Sequence, residues 1–237
     1  KKLRDWTNMK LTFLGSSAAF ESIADNYQSN LLLESSGQKK LLIDCGSDAR
    51  RSLHAVGLSC KDITHVYISH LHADHIGGLE WLGFSRYFDP DCERPHLYLH
   101  EDLLHPLWNN SLSGGMNCLE GGDSPLSTFF NHHPLTTTFT WEGLKLQLVQ
   151  TKHAYQEKKQ LPCHGLFFKY NNKNIYFTCD TQFCPDFLKK YYESADLIFH
   201  DCDTSNTKKS IHSSYADLVT LPSKVKAKIW LYHYTNT

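Results

Sequence analysis

The stretch VYISHLHADHIGGL, residues 66–79, constrains this chain more than any other. It places His70, His72, Asp74 and His75 within six positions, directly behind an apolar, β-branched run that reads as a buried strand. His70 and His72 are two residues apart, so at a strand end both rings can point the same way. Asp74 and His75 follow where the chain turns towards a helix, and can converge from a second direction. Imidazole nitrogens with a carboxylate suit a borderline divalent cation, Zn²⁺ first and Mn²⁺ or Fe²⁺ as carboxylates add up. A single ion rarely needs four ligands from so short a segment, which suggests two ions sharing the loop. Gly77 and Gly78 let the backbone pass close to the ions and into a helix start. A surface loop rich in histidine by chance is the alternative, and the spacing directly after a strand argues against it.

The rest of the chain limits what such a loop can serve. Its 237 residues, 41% of them hydrophobic, bury a sizeable core without disulfides. Lys and Arg number 24 against 25 Asp and Glu, a balance that favours a small ligand over a long nucleic acid held by phosphate contacts. The eight cysteines form no CxxC pair and read as reduced thiols of a cytoplasmic protein, small buried hydrophobes for the most part. The basic start KKLRDWTNMKLTFLG lacks the apolar segment of a secretory signal, with Met9 a candidate natural start. No apolar run approaches the length of a membrane span.

Strand and helix signals alternate along the chain. KLTFLG is a strand ending at Gly15, and YQSNLLLESSGQKKLLIDCG gives two strands around a turn at 35–38. Residues 47–57 read as a helix with Ser47 as N-cap and Gly57 as stop, and IGGLEWLGFSRYF starts another. PHLYLH is a short strand. Residues 101–134, with two Gly pairs and little periodicity, read as a lid or interaction insertion. Hairpin patterns return in FTWEGLKLQLVQTKH, with Leu144, Leu146 and Leu148 on one face, and in GLFFKYNNKNIYFTCD around 171–174. Residues 183–195 and 212–221 look helical, and ADLIFHD and AKIWLYHY are strands. The order predicts a single α/β domain over 1–237, with two mixed sheets face to face and helices outside.

HLHADH followed by IGGL, after a strand and before a helix, resembles the metallo-β-lactamase fold superfamily, whose αββα sandwich matches that arrangement. Further landmarks occur in order: Asp44-Cys45-Gly46, His153 in TKHAY, Asp180 in TCDT and His233 in LYHY. The resemblance implies two divalent ions, the first held by His70, His72, His153 and Asp180, the second by Asp74, His75, Asp180 and His233. Asp180 would bridge them, and Asp74 would also orient the nucleophile generated from water between them. Each late residue alone has a plainer reading, as a hydrogen-bonded structural histidine or a turn aspartate.

LIFHDCDT (197–204) and IHSSY (211–215) are similar to two motifs of the tRNase Z branch. By that resemblance His212 is the general acid that protonates the leaving 3′ oxygen, and Asp201, where the branch usually has Glu, is its partner. His200 is a strand cap or a neighbour of the ions, the structural role being favoured. Two departures speak against a tRNA substrate. Only 26 residues separate His153 from Asp180, where that branch inserts a long arm. Its basic Pro-rich N-terminal signature is absent, residues 25–30 reading DNYQSN.

The arrangement resembles the phage anti-Pycsar phosphodiesterases and their bacterial relatives. That resemblance implies a homodimer that hydrolyses 3′,5′-cyclic nucleotides to linear 5′-monophosphates, in the host cytoplasm if phage-encoded. The competing readings are a short tRNase Z-like RNA processor, a binding protein that sequesters a nucleotide without turnover, and a hydrolase of thioesters or lactones, which would leave His212 and Asp201 idle. Aromatic side chains are more often core and dimer contacts, and Trp108, Phe129 and Phe130 are the best candidates for base stacking, as residues of an insertion not needed for the core. His132 and His133 read as exposed loop histidines, His164 could face the pocket, and Ser16 and Ser17 lie in a loop near the ions or in a turn. The chain ends four residues after His233, short of the segment that family members usually add, which suggests a truncated or compact end.

Overall fold

The computed structural model describes residues 9–21, 26–205 and 211–235; the first eight residues of the basic start and Asp25 lie outside the described residues. The chain divides into two compact units, residues 1–15 with 25–135, and residues 16–24 with 136–237.

The first unit is built on a six-stranded mixed sheet. β1 (Lys10–Phe13), β2 (Leu31–Glu34) and β3 (Lys40–Ile43) run antiparallel. β2 and β3 are joined by a tight turn in which the Gln38 amide donates to the Ser35 carbonyl at 2.9 Å. β4 (His65–Ile68) and β5 (His96–His100) then add in parallel. Strand alternation sorts the side chains. Leu32, Leu42, Val66, Ile68, Leu97 and Leu99 face the helices, while Leu31, Leu33, Leu41, Ile43 and Tyr67 are buried on the other face.

The helices supply the matching apolar stripe. α1 (Ala49–Ala55) buries Ala49 and Leu53, and Gly57 lies two residues beyond it at φ +76°. Its N-cap is Asp48 rather than Ser47, whose hydroxyl is instead bonded to the Gln28 side chain at 2.9 Å. α2 (Ala73–Ile76) is a single turn starting at His72, and α3 (Leu79–Tyr87) follows Gly77 and Gly78. A Cβ on Gly78 would collide with the Gly46 carbonyl, so this close crossing requires glycine.

Residues 101–134 depart from the expectation of an insertion outside the core. α4 (Glu101–Pro106) continues through a π-helical turn, Leu107–Leu112, into α5 (Ser113–Met116). A small hairpin, β6 (Cys118–Leu119) and β7 (Gly122–Asp123), precedes α6 (Leu126–Phe129). β8 (Asn131–Leu135) then joins the sheet parallel to β5. The segment is therefore the crossover between two parallel strands, and Leu103, Leu107, Leu112, Met116 and Leu126 complete the core of this unit. Phe129 and Phe130 are fully buried there, and Trp108 packs against the same core, so base stacking by these three is not supported.

The second unit carries the other six-stranded mixed sheet. β9 (Thr138–Trp141) and β10 (Leu144–Gln150) form a hairpin, with Leu144, Leu146 and Leu148 buried on one face as their alternation requires. An exposed hairpin, β11 (Tyr155–Gln156) and β12 (Lys159–Gln160), leads to β13 (His164–Tyr170) and β14 (Lys173–Phe177). Asn171 and Asn172 take positive φ in the turn between the last two. α7 (Pro185–Ser194) opens with proline in its first turn and buries Leu188 and Tyr192, one helical turn apart. β15 (Leu197–Asp201) adds parallel to β14. α8 (Tyr215–Leu218), with Ser214 as its cap, is shorter than the expected helix, and α9 (Ser223–Lys226) precedes the edge strand β16 (Ile229–Tyr232). The core of this unit joins Val149, Tyr176 and Ile198 of the sheet to Leu188, Leu218 and Val225 of the helices. Among the described residues no helix is long and apolar enough to cross a membrane.

Candidate metal centre

In the first unit the histidine cluster follows β4 directly. His72 is extended at φ −71°, ψ 154° and begins α2, so Asp74 and His75 sit on a helical turn rather than in an open loop. His70, Asp74 and His75 are almost fully buried. His70 Nε2 and His72 Nδ1 approach to 3.0 Å, and the His70 and His75 ring centroids lie 4.0 Å apart. Two nitrogens bound at about 2.0–2.1 Å to one tetrahedral ion are separated by roughly 3.3 Å, so the pair is spaced as two ligands of one cation. His75 Nε2 lies 3.1 Å from Asp74 Oδ2, which offers a second convergence of nitrogen and oxygen donors.

The ligand tautomers are set from behind. Asp44, fully buried and at φ +63°, accepts the Ser69 amide on Oδ1 at 2.8 Å. Its Oδ2 accepts the Ser69 hydroxyl at 2.8 Å and His75 Nδ1 at 2.7 Å. The Ser69 hydroxyl proton is thereby committed to Asp44, so its oxygen accepts from His70 Nδ1 at 3.1 Å. Both rings then present an unprotonated Nε2, the form a metal requires. Asn30 fastens the loop: its Nδ2 donates to the Asp74 carbonyl at 3.0 Å and its Oδ1 accepts the Gly46 amide at 2.7 Å. Sequence reasoning singled out neither Ser69 nor Asn30. The available signal was their place at the mouth of strands leading to the cluster.

In the second unit His153 follows β10, Asp180 follows β14 and His233 follows β16, all nearly inaccessible to solvent. Cys179 and His233 take φ +54° and +62°, so the chain leaves the sheet abruptly beside Asp180 and at His233. His153 Nε2 and His233 Nε2 each lie 3.6 Å from Asp180 Oδ2. His153 Nδ1 donates to the Ile211 carbonyl at 3.0 Å, which again turns Nε2 to the carboxylate. Ligand atoms of Asp180, Asp201, His212 and His233 all fall within 4.8 Å of one another. Carboxylate and imidazole donors in this geometry fit divalent zinc or manganese.

Asp201 and His212 meet in the second unit. Asp201 Oδ2 accepts the Thr181 amide at 2.8 Å and His212 Nδ1 at 2.9 Å, while Oδ1 lies 3.4 Å from His233 Nδ1. Burial favours the neutral acid at Asp201, but the charge and hydrogen bond of His212 outweigh it and hold the carboxyl below its ordinary pKa. Burial likewise works against the charged form of His212. The charge and hydrogen bond of Asp201, with the nearby Asp180, outweigh it and raise the pKa above the ordinary imidazole value. His212 keeps a fifth of its side chain exposed.

The remaining expected residues are placed as follows. His200 is fully buried: its Nδ1 donates to the Asp201 carbonyl at 2.6 Å and its Nε2 accepts the Tyr192 hydroxyl at 2.7 Å, a structural role. Ser16 donates to the Tyr234 hydroxyl at 3.0 Å and Ser17 bridges the Tyr234 backbone, next to His233. His164 is buried at the start of β13. His132 and His133 lie in β8, half-buried, and not in an exposed loop; His133 stacks on Tyr98 at 4.7 Å and is bonded to His96 at 2.8 Å.

Residues 9–237 match a family model described as Anti-Pycsar protein Apyc1. A protein of that name from Paenibacillus harenae is 34% identical over 233 residues, covering 97% of this chain and 91% of the relative. One from Bacillus phage vB_BveM-Goe7 is 30% identical over 236 residues, covering 95% and 88%. Among solved structures, the metallo-β-lactamase fold protein YhfI from Bacillus subtilis aligns with a TM-score of 0.72 at 19% identity, over 97% of this chain and 87% of that one. A diphosphatase of the PhnP family aligns at 0.71 and 21% identity, over 96% and 87%. The short form of human tRNase Z aligns at 0.67 and 20%, over 95% and 92%. At these identities the structural likeness establishes the fold, which is that of the metallo-β-lactamases.

Proposed function

Since the chain belongs to the Anti-Pycsar protein Apyc1 family, we propose that it is a metal-dependent phosphodiesterase that opens 3′,5′-cyclic nucleotides to linear 5′-monophosphates and so removes an immune second messenger. The observation that carries this reading is the pairing of buried Asp201 with the partly exposed His212, with Asp180 and His233 around them, a proton donor built beside a ligand cluster. His70, His72, His153 and Asp180 would hold one divalent ion, and Asp74, His75, Asp180 and His233 a second, Zn²⁺ before Mn²⁺. When bound, the ions supply Lewis acidity towards the phosphoryl group and lower the pKa of water.

The chain's own groups supply the rest. Asp201 fixes the His212 tautomer by taking its Nδ1 proton in a hydrogen bond, and its charge favours the imidazolium. As water adds to phosphorus and the bond to O3′ breaks, His212 Nε2 gives its proton to that oxygen, leaving a 5′-monophosphate and a 3′ hydroxyl. Asp74 helps to orient the attacking oxygen. Ser69 and Asp44 keep His70 and His75 in the ligating tautomer throughout. Both units would work as one catalytic domain, in the cytoplasm and as a homodimer. The exposed β6–β7 hairpin is the part of 101–134 suited to cover a ligand or touch a partner.

The test is chromatographic product analysis. The metal-loaded protein and its His72→Ala variant are given 3′,5′-cyclic mononucleotides, cyclic dinucleotides and a 3′-extended tRNA precursor. Linear monophosphate from the cyclic mononucleotides, lost in the variant, is the expected result. Trimming of the tRNA without cyclic turnover would replace the reading with RNA processing, and stoichiometric binding without product would replace it with sequestration.

A further inference from the structure

The first unit contains a concave surface that the proposed chemistry does not use. It is an open groove of about 760 Å³ between α1, the segment after it, and α3. Arg50, Arg51 and His54 of α1 form one wall, Trp81 of α3 faces them, and Tyr27 and Leu58 lie along the groove. Its volume lies in the range of small-ligand sites, about 300–1,000 Å³. None of the residues proposed as metal ligands lines it.

The chemistry of the lining is one-sided. Its ionisable side chains are two guanidiniums, an imidazole, a phenol and a thiol, and among the described residues no carboxylate lines the groove. The acidic neighbours in sequence already hold hydrogen bonds, Asp48 beside Arg51 and Asp62 on Ser59, itself a residue of the groove. Asp48 accepts the Gln28 amide at 2.8 Å, and Asp62 accepts the amide and hydroxyl of Ser59 at 2.8 and 2.9 Å. Arg50 and Arg51 are exposed, whereas Trp81 and Leu58 are half-buried because they pack on the core of the unit. The floor is therefore rigid and apolar with an indole in it, and the rim is cationic. Guanidinium donors recognise phosphate oxygens by paired hydrogen bonds, and an indole face takes a planar heteroaromatic ring.

We propose that this groove is a binding site for a nucleoside monophosphate, distinct from the hydrolytic centre, with the phosphate on Arg50 and Arg51 and the base against Trp81. A ligand here lies on α1, whose preceding turn is bonded to the metal-binding loop. The Cys45 amide donates to the His75 carbonyl at 2.8 Å, and the Gly78 amide to the Cys45 carbonyl at 2.8 Å.

Calorimetric titration of the metal-loaded full chain with adenosine 5′-monophosphate, adenosine and inorganic phosphate tests the assignment. The same titrations are made on Arg50→Glu/Arg51→Glu, on Trp81→Leu and on His72→Ala. Losing two charged phosphate contacts should weaken groove binding of the monophosphate by about tenfold or more. It should leave turnover of cyclic substrate unchanged, and His72→Ala should keep groove binding. Trp81→Leu should weaken the monophosphate but not phosphate alone. Thermal melting checks that each variant is folded, and Arg51→Ala, a milder change at an exposed position, stands in if the charge reversal is not. Monophosphate binding that is identical in the wild type and the arginine variants overturns the proposal. Phosphate binding as tightly as the monophosphate overturns the nucleotide assignment. Neither outcome depends on whether cyclic nucleotides are hydrolysed.

Discussion

Asn30→Ala is the most informative single change in the first unit. Asn30 is fully buried and spans two backbone groups: the carbonyl of Asp74 and the amide of Gly46. Truncation removes both bonds at once and leaves a buried carbonyl and a buried amide without this partner. Each such loss costs about 1–3 kcal/mol, so the variant should be about 2–5 kcal/mol less stable. For a chain of this size each kcal/mol moves the melting temperature by about 2–4 °C, so a drop of roughly 4–20 °C is expected. The effect should also reach the ions, because Asp74 and His75 share the turn that Asn30 holds. Metal affinity should fall about 10–100-fold, as it does when outer partners of a metal site are removed. Urea unfolding and titration with a chromophoric zinc chelator measure the two quantities separately. Asn30→Asp would keep an acceptor for Gly46 but set a carboxylate against the Asp74 carbonyl, and should be no better than alanine. A variant that melts within a degree of wild type and binds zinc equally well would refute the reasoning.

Other consequences are as direct. His212→Gln should lower kcat by about 10²–10⁴-fold with metal content unchanged by elemental analysis, and Asp201→Asn should impair kcat through the same proton; loss of metal in His212→Gln would point to a ligand role instead. Phe129→Ala should cost about 3–5 kcal/mol in urea unfolding while leaving kcat of the folded fraction intact, because this ring belongs to the core and not to a substrate face. His133 is held below the ordinary histidine pKa by burial and by its neighbours His96 and His132, with Tyr98 stacked on its ring. The folded state thus binds fewer protons than the unfolded state, and this stability is present above about pH 6.5 and lost as pH falls below it. Melting temperatures recorded from pH 7.5 to 5 should decline less steeply in His133→Phe than in wild type, and equal slopes would exclude the assignment.

The histidine cluster was legible because its signal is local: two alternating rings after a strand and two more groups on the following turn need no knowledge of the rest of the chain. The partners that set the tautomers were harder to read. Asp44 is 25 residues from Ser69 in sequence and Asn30 is 44 from Asp74, and only strand pairing brings them together. The two mixed sheets could be anticipated from alternation in segments such as 144–148. Residues 101–134 could not, for a specific reason. Leu103, Leu107, Leu112 and Met116 are spaced four, five and four apart, and the five falls within the π-helical turn. A wider turn keeps all four on one buried face while erasing the period by which an amphipathic helix is recognised. The Gly pairs then suggested a loop, although Gly114 and Gly115 are helical within α5.

The left-handed residues at the strand ends carry a consequence for how such a chain can vary. Asp44, Cys179 and His233 each turn the backbone within two residues of a strand end, so there is little slack between sheet and site. An added or deleted residue there would rotate a working side chain out of place, while the hairpin at 118–123, whose Leu119 packs on the core of its unit, is held more firmly than the exposed hairpin at 155–160, which can change length at little cost. The second of these lies in the interval between His153 and Asp180, where the tRNase Z branch carries its long arm. Divergence in what is gripped can accumulate at that hairpin while the ligating frame stays in register. Lengthening it by a dozen residues should leave the fold standing and change only which molecules reach the site.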